Sequence, residues 1–172
     1  MKKNIGIIGR NFGEVIKSEA AVDYNVIWHI GTDAKLESLL MPDLVYIASS
    51  LESHFELAEF FLNKKTPVIL EKTPCVNKEA VKKLIKLANE NNVYIYFSDL
   101  IKFKAEIFNF DNDQIFIKWT KKSTSDEWIC FRLAFHYIYL VTLKVEKKIK
   151  LNKINISKDF AEIELSIGNK KY

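Results

Sequence analysis

Cysteine is nearly absent: Cys75 and Cys130 are the two in 172 residues, and they form no Cys-x-x-Cys pair. That excludes a disulfide framework and points to reduced thiols in a cytoplasmic protein, Cys130 reading as a buried apolar residue. The three histidines, His29, His54 and His136, lack metal-ligand spacing, so no metal site is expected. No apolar run reaches the roughly 18 residues of a membrane span. Trp128 to Leu143 comes nearest and is interrupted by Arg132 and His136. A strand opens almost at Met1, which leaves no room for a signal peptide. Neither a Gly-x-Ser-x-Gly elbow nor a P-loop occurs. The net charge of +4 is spread over amphipathic stretches and forms no block, so no nucleic-acid partner is expected. What the chain has is 48% hydrophobic and 28% charged residues, enough for a core with a soluble surface.

The first hundred residues alternate strand and helix. The apolar run at 4–9 reads as a strand buried on both faces of a sheet, and 26–30, 44–49, 67–70 and 93–97 read as further strands. Helical spacing marks 13–21, 53–62 and 77–91, with one or two turns within 36–41. Ser50 or Ser53 is placed to cap the second helix, and Asn77 the third. In the third, Val81, Leu84, Ile85 and Ala88 share a face opposite Lys82, Lys83 and Lys86. Strands separated by helices imply right-handed βαβ units, hence an α/β protein with a Rossmann-like parallel sheet. After about Leu100 the pattern changes. A hairpin is expected from Ile107–Phe110 and Gln114–Trp119 around Asp111-Asn112-Asp113, then a polar loop at 120–127 and an aromatic helix from Trp128 to Lys144. A second hairpin follows over 149–157 and 160–167. This is a small α+β C-terminal appendage.

The first strand runs into Gly6-Ile7-Ile8-Gly9-Arg10-Asn11-Phe12-Gly13. A dinucleotide fold needs glycines here for a tight turn, for close approach to a pyrophosphate and for helix–strand packing. Gly9 and Gly13 fit the outer two of Gly-x-Gly-x-x-Gly with one residue, the middle glycine, deleted. Asn11 tolerates positive φ and is expected to carry the shortened turn, with Arg10 compensating by direct phosphate contact. A turn that binds nothing is the plainer reading. Asp33 is the acidic residue available after the second strand for ribose hydroxyls. The connection from there to Leu44 is too short for a further helix and strand, so the adenosine side is trimmed.

Pro42 to His54, PDLVYIASSLESH, resembles the Gfo/Idh/MocA oxidoreductases, with their Asp-x-Val-x-Ile-Ala strand and a histidine opening the next helix. Asn63 to Pro74, NKKTPVILEKTP, is similar to the family's strand ending in Glu-Lys-Pro, and Leu133 to Leu140, LAFHYIYL, to its Asp-x-Gly-x-His-x-x-Asp helix. The resemblance implies hydride transfer between a sugar or cyclitol carbon and NAD or NADP. It implies catalytic roles for Lys72, hydrogen-bonded to the reacting oxygen, and His136, a general acid/base. Gly9, Arg10, Asn11, Phe12, Gly13, Asp33, Ser49, Ser50, His54 and Glu71 would bind cofactor. Residues 1–100 would form the dinucleotide-binding domain and 101–172 a reduced substrate and oligomerisation domain.

Departures are plain. Thr73 separates Lys72 from Pro74, and a cis bond before a non-proline residue costs roughly 2.5–4 kcal/mol, so Lys72 is expected to point differently. Arg132 and Tyr139 stand where the helix would carry aspartates, and the family's large second sheet is cut short. Plainer readings stand beside the functional ones: Lys72 as a strand-end lysine paired with Glu71, His136 as a hydrogen-bonded core histidine, His54 at a helix start, His29 as packing. Two functions follow. One is an NAD(P)-dependent oxidoreductase acting on a sugar, sugar nucleotide or polyol. The other is a non-catalytic Rossmann scaffold for binding or oligomerisation. The aromatic appendage has too little sheet to cover it, and a homodimer through it is expected.

Overall fold

The computed structural model describes residues 1–98, 114–120, 136, 138, 141–142, 148–156 and 160–168. The chain divides into two compact units, Met1–Ser98 and Asp99–Tyr172.

The first unit runs β1 (Asn4–Ile8), α1 (Asn11–Ala20), β2 (Asn25–Ile30), a 3-10 turn (Leu36–Ser38), β3 (Leu44–Ile47), α2 (Leu51–Asn63), β4 (Val68–Glu71), α3 (Lys78–Glu90) and β5 (Ile95–Ser98). All five strands are parallel, in the order β2-β1-β3-β4-β5. This is the Rossmann-like sheet that the alternation of elements predicts. β1 is buried on both faces because successive side chains alternate. Ile5 and Ile7 pack with Tyr46 and with Ile16 and Ala20 of α1. Ile8, Val45 and Ile47 pack against Leu57, Ala58, Phe61 and Leu62 of α2 and Leu84 and Ala88 of α3. One helix therefore covers one face and two the other, as right-handed crossovers in opposite directions require. Phe61 is fully buried, its ring 6.0 Å from Trp28 and 5.1 Å from Phe60. Burial of such a side chain contributes about 1.5–3 kcal/mol.

Local chemistry explains where the boundaries differ from expectation. Asn77 caps α3, its Oδ1 accepting from the Ala80 N–H at 2.8 Å. Ser50 holds the N-cap position of α2 without a side-chain capping bond, while the Ser53 hydroxyl donates to the Ser50 carbonyl at 2.8 Å. On α3 Val81, Leu84 and Ala88 take the core-facing stripe as expected, whereas Ile85 is exposed and Leu87 packs in its stead. The adenosine side is trimmed as expected: one short 3-10 turn links β2 to β3, and β2 is left as an edge strand.

In the second unit β6 (Gln114–Thr120), β7 (Ile149–Ile156) and β8 (Phe160–Ile167) form an antiparallel sheet ordered β6-β8-β7. β7 and β8 make the expected second hairpin, with Ala161, Ile163, Leu165 and Ile167 buried by the period of two. β6 pairs with β8; the 107–110 arm proposed for it lies outside the described residues, as does the 121–127 loop. Of the expected aromatic helix, His136, Ile138, Val141 and Thr142 are described and helical. Among the described residues no helix is long and apolar enough to cross a membrane, and no group of three His, Cys, Asp or Glu side chains is placed to hold a metal ion.

Candidate functional site

β1 leads by α1 to β2 on one side, whereas β3 leads by α2 to β4 on the other. Crossovers that diverge in this way open a crevice at the carboxyl ends of β1 and β3, the usual ligand site of an open α/β sheet. Gly9 sits there with φ +129, its N–H bonded to the Ile30 carbonyl at 2.9 Å. A Cβ on Gly9 would lie 2.3 Å from the Ala48 carbonyl oxygen. The strand ends approach this closely only because residue 9 has no side chain.

Helix α1 begins at Asn11, two residues before the expected start, and Arg10 is already in the right-handed helical region. The positive φ therefore falls on Gly9, and Asn11 stands in the first helical turn. The shortened turn presents the first N–H groups of a ten-residue helix, together with its positive dipole end. A cleft of about 640 Å³ opens at this point, lined by Gly9, Arg10, Asn11, Phe12, Gly31, Thr32, Asp33, Ala48, Ser49 and Ser50. Free first-turn amides, a glycine at the point of closest approach and a carboxylate at the β2 end together fit a dinucleotide.

Two residues behave differently from their sequence-based expectation. Arg10 is paired with Asp33, one guanidinium nitrogen lying 2.8 Å from both carboxyl oxygens. A backbone N–H of its own residue, and then Arg10, hold the Asp33 carboxyl below the usual carboxylate range. Gly13 lies outside the cleft; a Cβ there would come within 2.7 Å of His29 Nε2.

His29 is the residue that sequence reasoning missed. Its Nε2 lies 2.6 Å from the Gly9 carbonyl oxygen and its Nδ1 3.0 Å from Glu14 Oε1. It thereby ties the glycine turn to β2 and to α1. With the Gly9 carbonyl turned to the imidazole, the planar peptide directs the Arg10 N–H the opposite way. The available signal was an imidazole on the strand that neighbours β1, in register with buried Ile7.

A second polar group lies at the ends of β3, β4 and β5. Glu71 is buried and does not line the cleft. Its Oε1 accepts from the Tyr46 hydroxyl and its Oε2 from the Lys72 N–H at 3.3 Å, while Ser98 Oγ lies 3.5 Å from the Tyr46 oxygen. Burial, reinforced by Glu71, pushes the Tyr46 phenol far above its ordinary value. The Lys72–Thr73 bond is cis, against the expectation for a non-proline residue. Lys72 is half-buried, and Thr73 Oγ1 is buried with no partner among the described residues. Cys75, just beyond, is buried, which raises its thiol to about 11.

His54 is buried beneath this segment, Nδ1 2.9 Å from the Thr73 carbonyl and Nε2 3.1 Å from the Ser49 carbonyl. A neutral ring has one N–H and donates to one of them at a time. Burial lowers its pKa, against the raising effect of backbone bonds at Thr73, Ser49 and Pro74. An unfolded histidine takes up its proton near pH 6.5, where buried His54 remains neutral. Stability is therefore full above that value and falls as the pH drops through it, since the unfolded state then binds more protons. Urea midpoints between about pH 7.5 and about pH 5 are expected to fall further for wild type than for His54→Gln. Parallel curves would rule this out.

His136 lies in the second unit, half-buried and helical. Arg132 and Tyr139 lie outside the described residues.

The model of an oxidoreductase family, Gfo/Idh/MocA, described by its NAD-binding Rossmann fold, matches residues 5–98. No curated protein matches the chain. Among solved structures, an NAD-binding protein from Listeria innocua aligns at 20% identity and TM-score 0.52, over 56% of this chain and 35% of that one. UDP-N-acetylglucosamine 3-dehydrogenase GnnA from Acidithiobacillus ferrooxidans aligns at 14% identity and TM-score 0.73, over 99% of this chain and 72% of its own. GenD2 from gentamicin A biosynthesis, in complex with NAD, aligns at 14% identity and TM-score 0.72, over 87% of this chain and 56% of its own. The chain thus spans about a third of the Listeria protein and little more than half of GenD2.

Proposed function

Since the chain belongs to the Gfo/Idh/MocA oxidoreductase family, with its NAD-binding Rossmann fold, we propose that it is an NAD(P)-dependent oxidoreductase acting on a sugar, sugar nucleotide or polyol. The observation that carries the reading is the cleft between the β1 and β3 ends, where Gly9, the start of α1 and Asp33 converge. Residues 1–100 are the dinucleotide-binding part in this proposal, and 101–172 the substrate and oligomerisation part. Support for a sugar-type substrate comes from GnnA, named as a sugar-nucleotide dehydrogenase, and for the cofactor from GenD2, solved with NAD.

A bound nicotinamide supplies the hydride donor or acceptor. The chain's own residues do the rest. Gly9 and the α1 amides receive the diphosphate, with Asn11 and Phe12 beside it, and the Ser49–Ser50 segment forms the opposite wall. Lys72 is assigned to the reacting oxygen, where an ammonium group favours the alkoxide and so eases proton loss. Glu71 holds the Lys72 backbone N–H, and His54 holds the Thr73 carbonyl that follows. Both shape the lysine segment and stand back from the cofactor. His136 is proposed for proton transfer on its imidazole chemistry.

Calorimetric titration with NAD, NADH, NADP and NADPH tests the reading, with micromolar binding of at least one expected. A panel of sugars and sugar nucleotides follows, in which Lys72→Met and His136→Ala should each lower turnover by about 10²–10⁴. Silence toward every dinucleotide up to millimolar concentration would end the proposal. The edge position of β2 favours a second reading, a scaffold that binds without turnover; dinucleotide binding with no oxidation of any panel member would support it. The second unit is also proposed to mediate self-association, on the exposure of Leu151 and Ile154. Light scattering that returned only the monomer mass would remove that part.

A further inference from the structure

We infer that the Arg10–Asp33 pair makes the cleft accept the 2′-phosphate of NADP(H) as well as the 2′-hydroxyl of NAD(H), an inference that rests on the dinucleotide reading above. Arg10 leaves the turn directly after Gly9, and Asp33 stands three residues past the end of β2. Both line the cleft, so the pair joins the two segments that flank its ribose side. The side chains are 74% and 71% exposed, which places the pair at the mouth.

The pair passes over Gly31, where a Cβ would lie 2.4 Å from Asp33 Oδ1 and 2.7 Å from Arg10 Nε. Both are ends of flexible, exposed side chains, so the pair lies close over the backbone and remains free to separate.

The chemistry of the two groups decides the consequence. A lone carboxylate at this position accepts from a ribose hydroxyl and repels a phosphate; a lone arginine attracts the phosphate. Held together, each cancels the other's discrimination. An exposed ion pair is weak, so an incoming group can separate it at little cost. A 2′-phosphate would take the guanidinium, a planar fork suited to phosphate oxygens. A 2′-hydroxyl would instead donate to the carboxylate. The missing helix and strand beyond β2 leave that side of the cleft open to the larger group.

Titrating the full chain with NADH and NADPH at low ionic strength tests this through the ratio of the two dissociation constants. Wild type is expected to bind both, with a ratio within about tenfold of unity. Arg10→Gln should raise the NADPH-to-NADH ratio about tenfold, because Asp33 is then uncompensated; Asp33→Asn should lower it about tenfold, because Arg10 is then free. Thermal unfolding of each variant checks that the fold is intact. Shifts of opposite sign support the inference. A wild-type preference beyond about a hundredfold for NADH overturns it. So does an Arg10→Gln variant that weakens both dinucleotides equally, which would put Arg10 on the shared diphosphate. Either result leaves the cofactor reading standing, whereas wild type that binds neither dinucleotide ends both.

Discussion

Gly9→Ala is expected to cost about 3 kcal/mol or more and to abolish dinucleotide binding. Residue 9 has φ +129, a region that side chains other than glycine's enter at about 1–3 kcal/mol. The added Cβ would also stand 2.3 Å from the Ala48 oxygen and 2.6 Å from its carbonyl carbon. Both are backbone atoms, and the Ala48 N–H is bonded to the Ile8 carbonyl at 2.7 Å, so neither moves without opening the β1–β3 ladder. Relief would pull the strand ends apart where the cleft forms. Gly13→Ala provides the contrast, with a smaller loss expected, since its Cβ meets a side chain, His29, and not the backbone. Relief there costs the imidazole its contacts with Gly9 and Glu14 but leaves the β1–β3 ladder closed. Urea unfolding of the three proteins, with NADH titration beside it, measures both effects. A Gly9→Ala midpoint equal to wild type would show that the turn is not confined as described.

The second large effect is expected at Tyr46. Tyr46→Phe removes one oxygen from a site where the tyrosine and its partner Glu71 are 7% and 6% exposed. Glu71 Oε1 then loses the hydroxyl it accepts from, at a buried position with little access to solvent. A buried polar group left unsatisfied costs about 1–3 kcal/mol, so a loss of about 2 kcal/mol is expected. Glu71→Leu in the same background should recover part of it, because removing both partners leaves no orphan. A four-protein unfolding cycle measures the coupling, expected at about 1 kcal/mol or more. Tyr46→Phe within about 0.5 kcal/mol of wild type would show that the bond contributes little.

Binding in the proposed site is exposed to pH through His54, whose carbonyl partners belong to the segments after β3 and β4. Protonation of His54 would therefore disturb the Ser49 wall of the cleft and the Lys72–Thr73 segment together, an effect that the His54→Gln comparison reads.

The sequence by itself determined the order of strands and helices in residues 1–98, the cap at Asn77 and the β7–β8 hairpin. It also indicated a glycine turn facing an acidic residue. Those features depend on periodicity and on neighbours a few residues away, which a linear reading samples directly. Tertiary structure alone decided what the site residues do. His29 reaches Gly9 across 20 positions, Arg10 reaches Asp33 across 23, and Tyr46 reaches Glu71 across 25. Each contact crosses from one strand to the next, so it depends on strand order and register as well as residue type. Glu71 shows the difference most clearly. Its place beside Lys72 is visible in the chain, but which face of β4 it takes depends on the pleat. That pleat turns it to Tyr46 and Ser98 and leaves the cleft to Asp33 and Arg10.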